Sequence, residues 1–133
     1  MTLQQAIKVL IIDDDEDDRF FIQQAFKRDS PDTQVYVAAG GQQALDLLAS
    51  VQALPDVILL DLNMPTMNGF EVLTHLKQSV SYQPIPVIIL TTSDSLDDRE
   101  RARRSAAKGF VTKPNSLDEL TAIAKWIRLT LNK

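Results

Sequence analysis

The sequence predicts an α/β fold in which a five-stranded parallel sheet carries helices on both faces. Three observations predict it: five short apolar runs rich in β-branched residues, helix-period segments between them, and short connections marked by proline and polar residues. At 133 residues the chain has the size of one ordinary domain and can bury a core without disulfides or a structural metal. We therefore expect a single domain over residues 1–133, with its core over about 7–131.

Lys8 to Ile12 (KVLII) opens the alternation as a continuous apolar run, too short for a helix and suited to a strand buried on both faces. Val35 to Ala38, Val57 to Leu60 and Val87 to Leu90 read the same way, and a shorter strand, Phe110 to Thr112, follows Gly109. The first intervening helix should bury Phe21, Ile22, Ala25 and Phe26; the second, Ala44, Leu47, Leu48 and Val51; the third, Phe70, Leu73 and Leu76 after Asn68-Gly69. Leu96 to Ala107 is helical by propensity but poor in large apolar residues, so packing should hold it weakly. The last helix has the clearest stripe, with Leu120, Ile123, Ala124, Ile127 and Leu131 within one arc.

Lys and Arg total 14 against 18 Asp and Glu, a formal charge of -4 that argues against electrostatic binding of nucleic acid. The absence of cysteine excludes disulfides and thiolate metal sites. The start, MTLQQAIKVLII, has no basic region before its short apolar run, and Asp13 ends that run far short of a membrane span. A cytoplasmic protein without a membrane partner is expected.

In open parallel sheets ligands bind beyond the carboxyl ends of the strands, where strand order reverses. There the first strand ends in Asp13, Asp14 and Asp15, and the third in Asp61. Carboxylates gathered at one point repel, and hard oxygen ligands in a hydrated site suit Mg²⁺ or Mn²⁺. Asp15 or Glu16 has the simpler reading of a helix cap. The fourth strand leads into Thr91 and Thr92, and the fifth into Lys113-Pro114. Singly, Thr91 is a β-former and Lys113 a surface lysine. A hydroxyl and an ammonium aimed at the same carboxylates make sense if an anion also binds, as a phosphoryl group on one of those carboxylates would.

The strings IIDDD, LLDLNMPTMNG, VIILTTSD and GFVTKP, in this order and spacing, resemble the bacterial CheY-like response-regulator receiver family over roughly residues 7–131. The resemblance implies a flavodoxin-like, doubly wound sheet of order 2-1-3-4-5 and a role in a two-component phosphorelay. In that role Asp61 is the phosphoacceptor, taking its phosphoryl group from a sensor histidine kinase or phosphotransfer protein and switching an interaction face. Asp14 and Asp61 become metal ligands, with Asp13 supporting the ion through water and Asn63 giving its backbone carbonyl. Thr91 becomes the switch hydroxyl, Phe110 the aromatic switch, and Lys113 the partner of the acceptor carboxylate. A cis bond before Pro114 is implied as well. Such a protein catalyses its own aspartyl phosphorylation and dephosphorylation without being a classical turnover enzyme. The extended segment Gln78 to Pro86 resembles stand-alone receivers that partner cyanobacterial phytochromes and related kinases.

Three departures bear on how phosphorylation is read out. Thr92 stands where many relatives have a small residue, Phe110 lacks the phenolic hydroxyl of the frequent tyrosine, and Asn115 follows Lys113-Pro114 where Phe is common. Two alternative readings fit the residues less well. A Mg²⁺-dependent phosphohydrolase needs an Asp-x-Asp-x-Thr/Val string, which DDDED does not supply. A binding-only pseudo-receiver sits poorly with retention of Asp14, Asp61, Thr91 and Lys113. His75 is the only histidine, placed on a helix away from the strand ends, so a phosphohistidine donor belongs to another protein. On the last helix Ala122, Trp126 and Leu129 lie opposite the core stripe. With Arg99, Arg101, Arg103 and Arg104 they mark a face for a homodimer or partner.

Overall fold

A computed structural model describes residues 6–131. Five strands and five helices alternate: β1 (Lys8–Ile12), α1 (Glu16–Asp29), β2 (Gln34–Ala38), α2 (Gly41–Ser50), β3 (Val57–Leu60), α3 (Gly69–Gln78), β4 (Val87–Thr91), α4 (Leu96–Arg103), β5 (Gly109–Thr112) and α5 (Leu117–Leu131). Every strand pairing is parallel, and the sheet order is β2-β1-β3-β4-β5. The expected flavodoxin-like order is therefore the one observed. No helix among the described residues is long and apolar enough to cross a membrane.

The two-residue period of the strands sorts side chains to the two faces. Val9, Ile11, Val57, Leu59, Ile88 and Leu90 pack with Ile22, Ala25 and Phe26 of α1 and with Leu120, Ala124 and Ile127 of α5. Leu10, Ile12, Ile58, Leu60 and Val87 point the other way, onto Ala44 and Leu48 of α2 and Val72, Leu73 and Leu76 of α3. A smaller cluster of Leu62, Phe70, Ile89 and Ala102 sits under α4, with Phe110 against it. Ion pairs close the α1–α5 layer: Arg128 donates Nε to Asp29 Oδ2 at 2.7 Å, and Arg28 meets Asp118 at 3.0 Å.

Two expectations need correction. Phe21 is half-exposed, beside the exposed Phe20, because Ile22, Ala25 and Phe26 already fill the arc that α1 turns to the sheet. The α4 helix stops at Arg103 and does not run on to Ala107: the Ser105 N–H turns back to the Ala102 carbonyl at 3.0 Å, and Lys108 N–H already joins the Val87 carbonyl at 2.7 Å. After α3 the chain from Ser79 to Ile85 is folded into turns, with Gln83 N–H on the Ser79 carbonyl and the Lys77 ammonium on the Gln83 and Ile85 carbonyls at 2.9 and 2.8 Å. The arginines are engaged within the chain: Arg103 and Arg104 on Glu100, Arg101 over the Phe70 ring and Arg99 over the Phe110 ring. Trp126, Leu129 and Ala122 do lie outward, the first two half-exposed.

Candidate functional site

The carboxyl ends of β1 and β3 lie side by side, since Ile12 pairs with Leu60 and the Asp61 N–H continues the ladder to the Ile12 carbonyl at 3.0 Å. That register delivers Asp13, Asp14 and Asp61 to one place, each offering a carboxylate oxygen within 4.8 Å of the others. Asp13 is 1% and Asp61 6% exposed, whereas Asp14 faces solvent. Two loops hold the group. Asp13 Oδ1 accepts the Asp15 N–H at 2.9 Å and its carbonyl accepts from Arg19 at 2.8 Å, while Asp15 caps α1 by accepting the Asp18 N–H at 3.1 Å. After Asp61, Gly69 comes so close that a Cβ there would stand 2.4 Å from the Asp61 carbonyl oxygen, which leaves glycine as the residue that fits. Asn68 and Glu71 form a reciprocal capping box that starts α3 beside it. In the same loop Thr66 takes φ 70°, a left-handed conformation costly for a β-branched side chain.

Lys113 directly follows β5, its N–H on the Thr91 carbonyl at 2.7 Å, and its ammonium reaches into the acidic group. Nζ stands 2.6 Å from Asp13 Oδ2, 2.8 Å from Asp18 Oδ2 and 3.5 Å from Asp61 Oδ2. The expected partner, Asp61, is thus the most distant of three. Asp18 was not singled out from sequence, because its place in the acidic first turn of α1 reads as ordinary helix-dipole compensation. Its one available signal is that it falls one turn past Asp14. No peptide bond among the described residues is cis, so Lys113–Pro114 is trans, against expectation. The tertiary amide before proline leaves only about 0.5–1 kcal/mol between isomers, so local contacts decide.

Burial pushes the Asp13 carboxyl above its ordinary value, aided by the charge of Asp61, although hydrogen bonds from Lys113 and the Asp15 N–H oppose it. Burial alone would lower the Lys113 ammonium. Its hydrogen bonds to Asp13 and Asp18 and the charges of Asp13 and Asp61 outweigh that and hold it above its ordinary value. With three carboxylates around one ammonium, the proton stays on Lys113. Asp61 Oδ1 is buried and accepts no hydrogen bond, the sole such side-chain atom among the described residues. An unpartnered buried carboxylate oxygen is costly unless something binds it. Beside two more carboxylates, the oxygen-only donor set fits a hard divalent cation.

Thr91 is fully buried at the end of β4, its hydroxyl accepting the Ser93 N–H at 3.3 Å. Asn63, Thr92 and Asn115 are exposed at the same end of the sheet. Phe110 is partly buried, with the Arg99 guanidinium 5.1 Å above its ring and bonded to Thr112 Oγ1 at 3.0 Å. His75 is exposed on α3.

Comparison with known proteins agrees with this arrangement. Residues 9–125 match the family model described as the response regulator receiver domain. Sporulation initiation phosphotransferase F of Bacillus subtilis is 34% identical over 126 residues, covering 94% of this chain and 97% of the relative. The phosphorylated cyanobacterial phytochrome response regulator RcpA superposes with a TM-score of 0.86 at 29% identity, covering 97% of this chain and 96% of that one. The Mn²⁺-bound form of response regulator Rcp1 superposes with a TM-score of 0.78 at 29% identity, covering 91% of each.

Proposed function

Because the chain belongs to the response regulator receiver family, we propose that it is a phosphoacceptor in a two-component relay, with Asp61 as the residue that carries the phosphoryl group. One observation carries the assignment: Asp61 keeps an oxygen buried and unpartnered inside a group of carboxylates that Lys113 only partly neutralises. Asp61 attacks the phosphorus of a phosphohistidine; the new P–O bond forms as the P–N bond breaks, and the imidazole of the donor takes up a proton. The donor is a histidine kinase or phosphotransfer protein, since this chain's one histidine is exposed on α3.

A Mg²⁺ or Mn²⁺ ion held by Asp14 and Asp61, with Asp13 through water and the Asn63 carbonyl, would supply positive charge against the phosphoryl oxygens. The Mn²⁺ in Rcp1 supports a divalent ion here. Lys113 brings a second positive charge to the same oxygens and Thr91 a hydroxyl donor, which together offset the charge that develops there. Phosphoramidate and Mg²⁺ should add one phosphoryl group by intact mass, labile as an acyl phosphate. Asp61→Asn should abolish it, Asp14→Ala should weaken Mg²⁺ binding and slow it, and equal labelling of Asp61→Asn would overturn the acceptor assignment.

We also propose that the output is read on the face of β5 and α5, where Trp126 and Leu129 are half-exposed. Sedimentation of the parent and of a Trp126→Ala, Leu129→Ser variant, with and without beryllofluoride, tests it. A parent monomeric in both states removes self-association, and unchanged partner binding by the variant removes the face.

A further inference from the structure

The three distances at the Lys113 ammonium are unequal, and the inequality has a chemical use. An ammonium has three hydrogens, and the two best-placed acceptors are Asp13 and Asp18, at 2.6 and 2.8 Å; Asp61 lies at 3.5 Å. Asp13 belongs to the strand-end carboxylates and turns its other oxygen to the Asp15 N–H. Asp18 does not belong to that group. It stands in the first turn of α1, is partly exposed, and its side chain has one partner, Lys113. Asp18 lies outside the carboxylates that could hold a cation, and its contact ties Lys113 to α1 more closely than to Asp61.

We propose that Asp18 is a positioning residue that competes with Asp61, and with the phosphoryl group Asp61 would carry, for the Lys113 ammonium. The inference rests on the phosphoacceptor reading above and adds to it a residue that sets the rate. While Asp18 holds Lys113, the charge meant for the phosphoryl oxygens is shared with a third carboxylate. Neutralising Asp18 without changing its shape leaves Lys113 free to follow the phosphoryl oxygens as they develop charge.

The test compares labelling of the parent, Asp18→Asn and Asp17→Asn by phosphoramidate at saturating Mg²⁺. Asp17 is an exposed neighbour with the same charge and no contact to Lys113, so it reports the effect of charge alone. Asp18→Asn should label roughly three- to tenfold faster, the size expected when part of a charge-assisted hydrogen bond is redirected, and Asp17→Asn should stay within about a third of that change. In a Lys113→Met background the Asp18 effect should vanish, since a residue acting through Lys113 is not additive with its loss. Independently of that variant, the Lys113 ammonium resonance in ¹⁵N NMR should move in Asp18→Asn and not in Asp17→Asn. An unchanged or slower rate in Asp18→Asn, an equal gain in Asp17→Asn, additivity with Lys113→Met or an unmoved ammonium resonance would each overturn the proposal. A parent that takes no label at Asp61 would instead overturn the phosphoacceptor reading, and this inference with it.

Discussion

The two helices that flank β5 are held in opposite ways. The fifteen-residue α5 buries Leu120, Ala124 and Ile127 against the sheet and is tied to α1 through Arg128 and Asp29. The eight-residue α4 buries only Ala102, exposes Leu96 almost completely, and meets β5 through a guanidinium laid over the Phe110 ring. One flank is fixed by apolar area, the other by polar contacts near the surface, which exchange at little cost. Phe110 lies on the α4 side of the site, while Lys113 and Asp18 tie the other side down.

The sharpest way to break this comparison is to cut equivalent side chains from the two helices. Ile127→Ala should cost about 4 kcal/mol, because a 1% exposed side chain leaves a cavity between α1, α5 and the sheet. Leu96→Ala, at 83% exposure, should cost less than about 0.5 kcal/mol. Urea unfolding checks both, with the midpoint moving and the slope unchanged for Ile127→Ala. Comparable losses from the two substitutions would mean that α4 is packed as firmly as α5.

The same contrast explains what could be read from the amino-acid order. Four-residue apolar runs such as Val57 to Leu60 have one stable home, a strand covered on both faces, and parallel order then brings Asp13 and Asp61 together without further information. Asp13 and Asp61 were legible because each directly follows such a run, with Asp14 next to Asp13. Where side chains have several adequate homes, the sequence underdetermines the outcome. Phe20 and Phe21 both suit a core, yet α1 has one arc to bury and gives it to Ile22, Ala25 and Phe26. The end of α4 was overrun because propensity continues past Arg103, whereas the pairing of Lys108 with Val87 decides where the chain must leave the helix. Asp18 was overlooked because a carboxylate in a first helical turn already has a sufficient local reason to be there. Its contact with Lys113, 95 positions away, comes from the tertiary fold.

A second, smaller contrast sets the buried polar tie of one flank against the exposed tie of the other. The Lys113 side chain is 9% exposed and faces Asp13, Asp18 and Asp61. Lys113→Met should destabilise the cation-free protein by about 3 kcal/mol, because it leaves buried carboxylates facing one another. Added Mg²⁺ should return part of that loss. Arg99→Ala removes a contact between an exposed guanidinium and a partly buried ring and should cost no more than about 1 kcal/mol. The two ties also differ in their response to pH. Lys113 holds its proton more tightly folded than unfolded, so its contribution is complete below the unfolded lysine value of 10.5 and declines as pH climbs above it. Unfolding midpoints of the cation-free parent should therefore fall through the alkaline range more steeply than those of Lys113→Met. The Arg99→Ala protein, which keeps the Lys113 cluster, should follow the parent. If Lys113→Met loses stability in alkali as steeply as the parent does, the ammonium is not what holds α1 and β5 together at the site.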